Sequence, residues 1–139
     1  MNRKITLVLF FALINLTVFA DKAKKNVPFK VAFYNCENYY DTINDPAIDD
    51  EEFLPTAASN WNAKRFATKK AHLAQVINEI NPDVIGLAEI ENKNVLEQLT
   101  QESAIKGSKY AVVHQNSPDK RGIDVGFLYK KSEIGRAHV

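Results

Sequence analysis

Pro82 marks the junction that limits the folds open to this chain more than any other feature. On its N-terminal side, Phe66, Leu73, Val76, Ile77 and Ile80 fall at offsets 0, 7, 10, 11 and 14, one face of a helix predicted over Ala63 to Asn81. Asn62 is placed to cap it, and Pro82 stops it, because proline disfavours helix at the residue before it. On the other side, Asp83 to Ile90 is a short, nearly continuous apolar run, the pattern of a strand buried on both faces. Upstream, Phe29 to Tyr34 is rich in aromatic and β-branched residues and reads as another strand. Strand, long helix, strand is a βαβ unit, whose strands run parallel. Both therefore finish at one edge of the sheet, which brings Asn35 and Glu89 side by side. In open α/β sheets that carboxyl edge is where ligands bind.

The remaining pattern extends this α/β plan. Asn92 or Asn94 caps a second helix to about Ser103, with Val95, Leu96 and Leu99 inward. Tyr110 to His114 and Ile123 to Tyr129 are two further strands, joined by the turn-forming Ser117-Pro118-Asp119 and Gly122. Tyr39 to Ala58 is acidic and irregular, broken by Pro46 and Pro55. Its carboxylates lack the spacing and central glycine of an EF-hand loop, so a solvated face is expected.

The first twenty residues differ from the rest. Arg3 and Lys4 precede an apolar stretch from Ile5 to Ala20, and Val18-Phe19-Ala20 offers small residues for a signal peptidase. Residues 1–20 are expected to be a signal peptide and 21–27 a linker. The domain is then exported, periplasmic or secreted, and meets a membrane only if the segment stays uncleaved as an anchor. Removing Arg3 and Lys4 leaves sixteen basic against seventeen acidic residues, one negative charge net. That balance excludes the broad basic footprint of a pure nucleic-acid-binding module. The single Cys36 excludes an intrachain disulfide framework and a multi-cysteine zinc site, and it reads as a small buried hydrophobe.

Asn35 and Glu89 place an amide oxygen and a carboxylate at one strand edge. Magnesium takes oxygen ligands, keeps several waters and uses only one or two protein carboxylates. The residues alone also fit a plainer reading, with Glu89 a solvated strand-end residue and Asn35 a turn residue. Arg121 can grip a phosphate oxygen through its guanidinium or be an ordinary surface arginine. Glu91 and Asn92 either line the groove after Glu89 or, for Asn92, cap the second helix. His72 is expected to be solvated, and His114 structural.

The segments Phe33-Tyr34-Asn35-Cys36-Glu37-Asn38 and Pro82-Asp83-Val84-Ile85-Gly86-Leu87-Ala88-Glu89-Ile90-Glu91-Asn92 resemble the first two motifs of the endonuclease/exonuclease/phosphatase family. Pancreatic deoxyribonuclease, apurinic endonucleases, inositol-polyphosphate phosphatases and bacterial sphingomyelinases belong to it. Arg121-Gly122-Ile123-Asp124-Val125-Gly126-Phe127-Leu128-Tyr129 resembles a later strand of its secreted bacterial branch. The resemblance implies that Glu89 is the principal Mg²⁺ ligand, with Mn²⁺ or Ca²⁺ as alternatives. Asn35 joins it as a catalytic and metal-site residue, and Asn38, Glu91, Asn92 and Arg121 would meet substrate. Ala88 stands where that family usually has Gln, which removes a supporting hydrogen bond. The implied fold is a four-layer α/β sandwich, two sheets with flanking helices. Residues 28–131 would supply its N-terminal half, starting with the βαβ unit.

The Asp-x-Asn motif and C-terminal Asp-His pair of that family have no counterpart here, so these residues alone are expected to be inactive. Glu133 to Val139 has no periodic pattern and looks like translated sequencing adapter, and residues 132–139 are expected to be a non-native tail. The expected activity is metal-dependent phosphoester hydrolysis of nuclease type, on a phosphate-ester substrate such as nucleic acid, with no stable protein partner implied. The alternatives are a phosphomonoesterase or sphingomyelinase-type hydrolase on the same fold, and a non-catalytic exported binding protein.

Overall fold

The computed structural model describes residues 28–134. The expected signal peptide, the linker and residues 135–139 of the expected tail lie outside them. The element order is β1 (Val31–Tyr39), α1 (Ala63–Ile80), β2 (Val84–Ile90), α2 (Lys93–Thr100), β3 (Tyr110–Gln115) and β4 (Asp124–Lys130), with short 3₁₀ turns at Glu51–Phe53 and Lys106–Ser108. The strands form one mixed sheet in the order β1-β2-β4-β3. β1 and β2 are parallel, as a βαβ unit requires, and β4 pairs antiparallel with both β2 and β3. The fold is α/β: the described residues form one four-stranded sheet with two helices. No helix among them is long and apolar enough to cross a membrane.

Local chemistry sets the boundaries. Asn62 caps α1 by accepting the Lys64 and Arg65 N–H groups at 3.1 and 3.2 Å. At the other end Asn81 turns left-handed (φ 47°) and donates its N–H to Ile77, and Pro82 follows. Asn92 caps α2 through the Val95 N–H at 3.0 Å. The second helix stops at Thr100, short of Ser103, where the chain tightens into turns.

Both helices cover one sheet face. Phe66, Leu73, Ala74 and Ile77 of α1 meet Val95, Leu96 and Leu99 of α2 over Ile85, Leu87 and Leu128 of the sheet. Burying an aliphatic side chain of this size is worth roughly 1.5–3 kcal/mol. Gly126 lets α2 settle on the sheet, since a Cβ there would lie 2.4 Å from Leu96 Cδ1. The opposite face is apolar and open: Val31, Phe33, Val113, Val125 and Phe127 are 45–68% exposed. There Phe33 and Phe127 close over Gly86, within 2.9 and 3.2 Å of where its Cβ would stand.

The end of the first strand also departs from the sequence reading. The first strand was expected to end at Tyr34, yet β1 continues to Tyr39. The segment stays paired because its end is anchored in the core: Tyr39 is fully buried, stacks on Phe66 at 5.5 Å and donates its hydroxyl to the Val95 carbonyl.

Candidate functional site

Parallel pairing carries the register Val31↔Val84 through to Asn35↔Ala88 and then breaks, resuming at Tyr39↔Ile90. Four steps on β1 therefore face two on β2, so β1 bulges at its carboxyl end. Three residues at the break have left-handed backbones: Glu37 (φ 54°), Asn38 (φ 63°) and Glu89 (φ 58°). Asparagine tolerates that region, whereas glutamate pays a Cβ penalty of roughly 1–2 kcal/mol there. Strain of this kind persists only where the surroundings over-determine it, and it clusters at functional sites.

What holds Glu89 is visible. Asn35 Nδ2 donates to its Oε1 at 2.9 Å, and the Asn38 N–H donates to its Oε2 at 3.1 Å. Asn35 Oδ1 in turn accepts the Glu37 N–H at 2.9 Å, an Asx turn that fixes the amide. Lys69 of α1 reaches over and donates to the Glu37 carbonyl at 2.6 Å. The structure thus brings Asn35 and Glu89 together, and adds the Asn38 backbone as a third member. Glu89 is half-buried and Asn35 exposed, so the carboxylate faces an accessible rim.

The other expected residues fall around that pair in different ways. Arg121 is exposed and forks onto Asp119, through Nε at 3.2 Å and Nη2 at 2.8 Å. That pairing raises the guanidinium's already high pKa and holds the Asp119 carboxyl low. Arg121 shares a concavity of about 230 Å³ with Asn38, Tyr40, Asp49, Glu52, Phe53 and Ile123. Its backbone carbonyl accepts the Tyr40 hydroxyl at 2.5 Å, which ties this turn to the acidic loop. Glu91 does not line the surface of the rim. It is 5% exposed, and its Oε2 accepts the Asp41 N–H at 2.7 Å. Burial first, then the charges of Asp41 and Asp50, push its carboxyl up to about 7. Asn92 is engaged as the α2 cap.

Sequence reasoning missed two features. His114 has a partner: its Nε2 lies 2.8 Å from Asp124 Oδ2, and Asp124 Oδ1 accepts the Ser117 N–H at 2.7 Å. Both side chains are only 6% exposed, so the pair locks the β3–β4 end and does not reach the rim surface. The signal was present in the hairpin pairing, which sets the strand ends holding these two residues side by side. The second is Asp50, buried with Oδ1 lacking any hydrogen-bond partner. Cys36 is buried as expected, and burial pushes its thiol up to about 12, which leaves it inert as a nucleophile.

Among the described residues no three His, Cys, Asp or Glu side chains converge as a metal cage. A lone rim carboxylate with oriented amides suits an ion that keeps most of its water, as magnesium does.

The chain matches the model of the endonuclease/exonuclease/phosphatase family over residues 30–137 and belongs to that family. Its members are in general hydrolases of phosphate esters, and divalent metal dependence is general among them. No curated protein and no solved structure matches the chain.

Proposed function

We propose that this member of the endonuclease/exonuclease/phosphatase family is an exported, divalent-metal-dependent phosphodiesterase of nuclease type. The observation that carries the reading is a strained glutamate at the carboxyl end of a parallel strand pair, held by a side-chain amide and a backbone N–H. Glu89 would hold Mg²⁺, or Mn²⁺ or Ca²⁺ in its place. The ion, when bound, supplies a Lewis acid that polarises a phosphoryl oxygen and stabilises the leaving oxyanion.

The chain's own residues supply positioning. Asn35 orients the carboxylate through Nδ2 and is itself fixed by the Asx turn, so Glu89 meets its ligand without a search through rotamers. The bulge keeps the Asn38 N–H on the second oxygen, leaving the outward lone pairs free for a ligand. Arg121, across the small concavity from Asn38, is available to a phosphate oxygen in exchange for Asp119. The His114–Asp124 pair is assigned a structural role in this reading, because both side chains are largely buried and Asp124 is also held by the Ser117 N–H. Activation of water falls to the Asp-His pair the family resemblance implies and this chain lacks, so these 139 residues alone are inactive in this reading.

The test is hydrolysis of a phosphodiester by the full-length gene product. Glu89→Ala, or chelation of divalent ions, lowers the rate by orders of magnitude. Unchanged rates in both arms reject the mechanism. In that case the non-catalytic binding reading takes its place.

A further inference from the structure

The cations of this near-neutral chain are unevenly placed. Helix α1 carries Lys64, Arg65, Lys69 and Lys70 in its first half, and its only acid is Glu79, near the far end. Positive charge there opposes the helix dipole, and Arg65 and Lys69 are like charges one turn apart, so stability favours neither choice. Lys70 is neutralised by Glu102 at 3.2 Å. Lys64, Arg65 and Lys69 form no ion pair among the described residues. A local arrangement that breaks the usual rules of helix stability is where function is expected.

Trp61 organises these cations. Its indole N–H donates to the Tyr40 and Asp41 carbonyls at 3.1 and 3.0 Å, which fixes the ring directly after β1. Arg65 and Lys69 both lie over that ring, 5.5 and 5.8 Å from its centroid, within cation–π range. The ring thus offsets the repulsion between them and holds both in place. Trp61, Lys64, Arg65, Thr68, Lys69 and His72 line a concavity of about 530 Å³. Lys69 and His72 also line a second, smaller one of about 150 Å³, whose walls include Asn35 and Glu37. The two hollows share those walls, so the basic concavity adjoins the one that the amide holding Glu89 helps to line.

We propose that this groove is a binding track for the sugar-phosphate backbone of a nucleic-acid strand, with Lys64, Arg65 and Lys69 each taking a phosphate flanking the cleaved one. The substrate is then a polynucleotide, because a monoester or a single small diester has no charge to place beyond Glu89. The identity of the cleaved bond rests on the phosphodiesterase reading; binding along the track does not.

The experiment is fluorescence anisotropy of the 139-residue chain with a labelled 12-nucleotide oligothymidylate, in chelator, across a salt series. Each phosphate contact to a single strand contributes roughly 0.7 to the slope of log affinity against log salt. Lys64→Gln with Arg65→Gln, both at exposed positions, lowers the slope by about 1.4 and the affinity about 25-fold at 0.1 M salt. The charge-conserving Lys64→Arg with Arg65→Lys keeps both. Placed on a Glu89→Gln background, the Gln pair lowers the slope by the same amount, so loss of metal dependence and loss of the track are separable outcomes. The proposal is overturned if wild type does not bind the oligonucleotide, or if the Gln pair leaves the slope unchanged. It is equally overturned if that pair abolishes binding to phosphatidylserine vesicles and not to the oligonucleotide, which would make the groove a membrane contact.

Discussion

Replacing Glu89 by glycine and by alanine separates the backbone of the site from its side chain. Both substitutions remove the carboxylate and with it the bonds from Asn35 Nδ2 and the Asn38 N–H, so that loss cancels in the comparison. What remains is the left-handed backbone at φ 58°. Alanine keeps a Cβ and its penalty of roughly 1–2 kcal/mol, which glycine does not have. Against this, glycine loses more chain entropy on folding, about 0.4–1 kcal/mol. The balance leaves Glu89→Gly more stable than Glu89→Ala by about 1 kcal/mol, roughly fivefold in the folding equilibrium. At an ordinary strand position the order is reversed, with glycine worse by about 0.5–1 kcal/mol. Urea unfolding, at protein concentrations where the midpoint is constant, reads the difference at equal m-values. Alanine equal to or more stable than glycine would refute the strained backbone on which the site is built.

Three other outcomes follow from particular contacts. Gly126→Ala drives a methyl into Leu96 Cδ1 and Ile90 Cδ1, 2.4 and 2.8 Å from the Cβ position, and costs about 1–3 kcal/mol in the same unfolding assay. Glu91, its carboxyl raised from 4.5 to about 7, binds a proton in the folded chain that the unfolded chain releases. Its contribution is whole below pH 4.5 and is lost as pH rises to about 7, by about 1–3 kcal/mol. Glu91→Gln therefore flattens the stability–pH profile over that window, and an unchanged profile would assign the titration elsewhere. The open apolar face makes the chain associate as its concentration rises; Phe33→Thr with Phe127→Thr should restore a monomer in sedimentation velocity.

The crossover was legible because its signals are local and redundant. Asn62, the helical spacing, Pro82 and the apolar run each point to the same boundary, and the strand pair they imply is parallel. The juxtaposition of Asn35 with Glu89 follows from that topology alone. The bulge was not legible, because nothing in Asn35-Cys36-Glu37-Asn38 distinguishes a turn that ends a strand from one that interrupts it. The deciding residue is Tyr39, whose burial against Phe66 pulls the chain back into register. His114 and Asp124 were hidden for a related reason: each looks isolated along the sequence, and the hairpin supplies the contact.

Charge shows the same division between what a total conveys and what placement does. A chain near neutrality was read as lacking a nucleic-acid footprint, yet its cations are not spread evenly. Where α1 starts, the fold carries Lys64, Arg65 and Lys69 over or beside one tryptophan, and none of the three is in an ion pair among the described residues. Asp41 and Asp50 are buried, one of Asp50's oxygens without a partner, and they act on Glu91. Clustering Lys64, Arg65 and Lys69 on the first turns of α1 builds a local field that the net charge of the chain conceals. Field lines from such a groove concentrate anions at its mouth, and the effect weakens with added salt. In the proposed track, a phosphate drawn to this field would arrive beside Asn35, where the carboxylate of Glu89 would by itself repel it. A cation on Glu89 removes that repulsion, so in this arrangement metal and groove act on the same substrate charge from opposite sides.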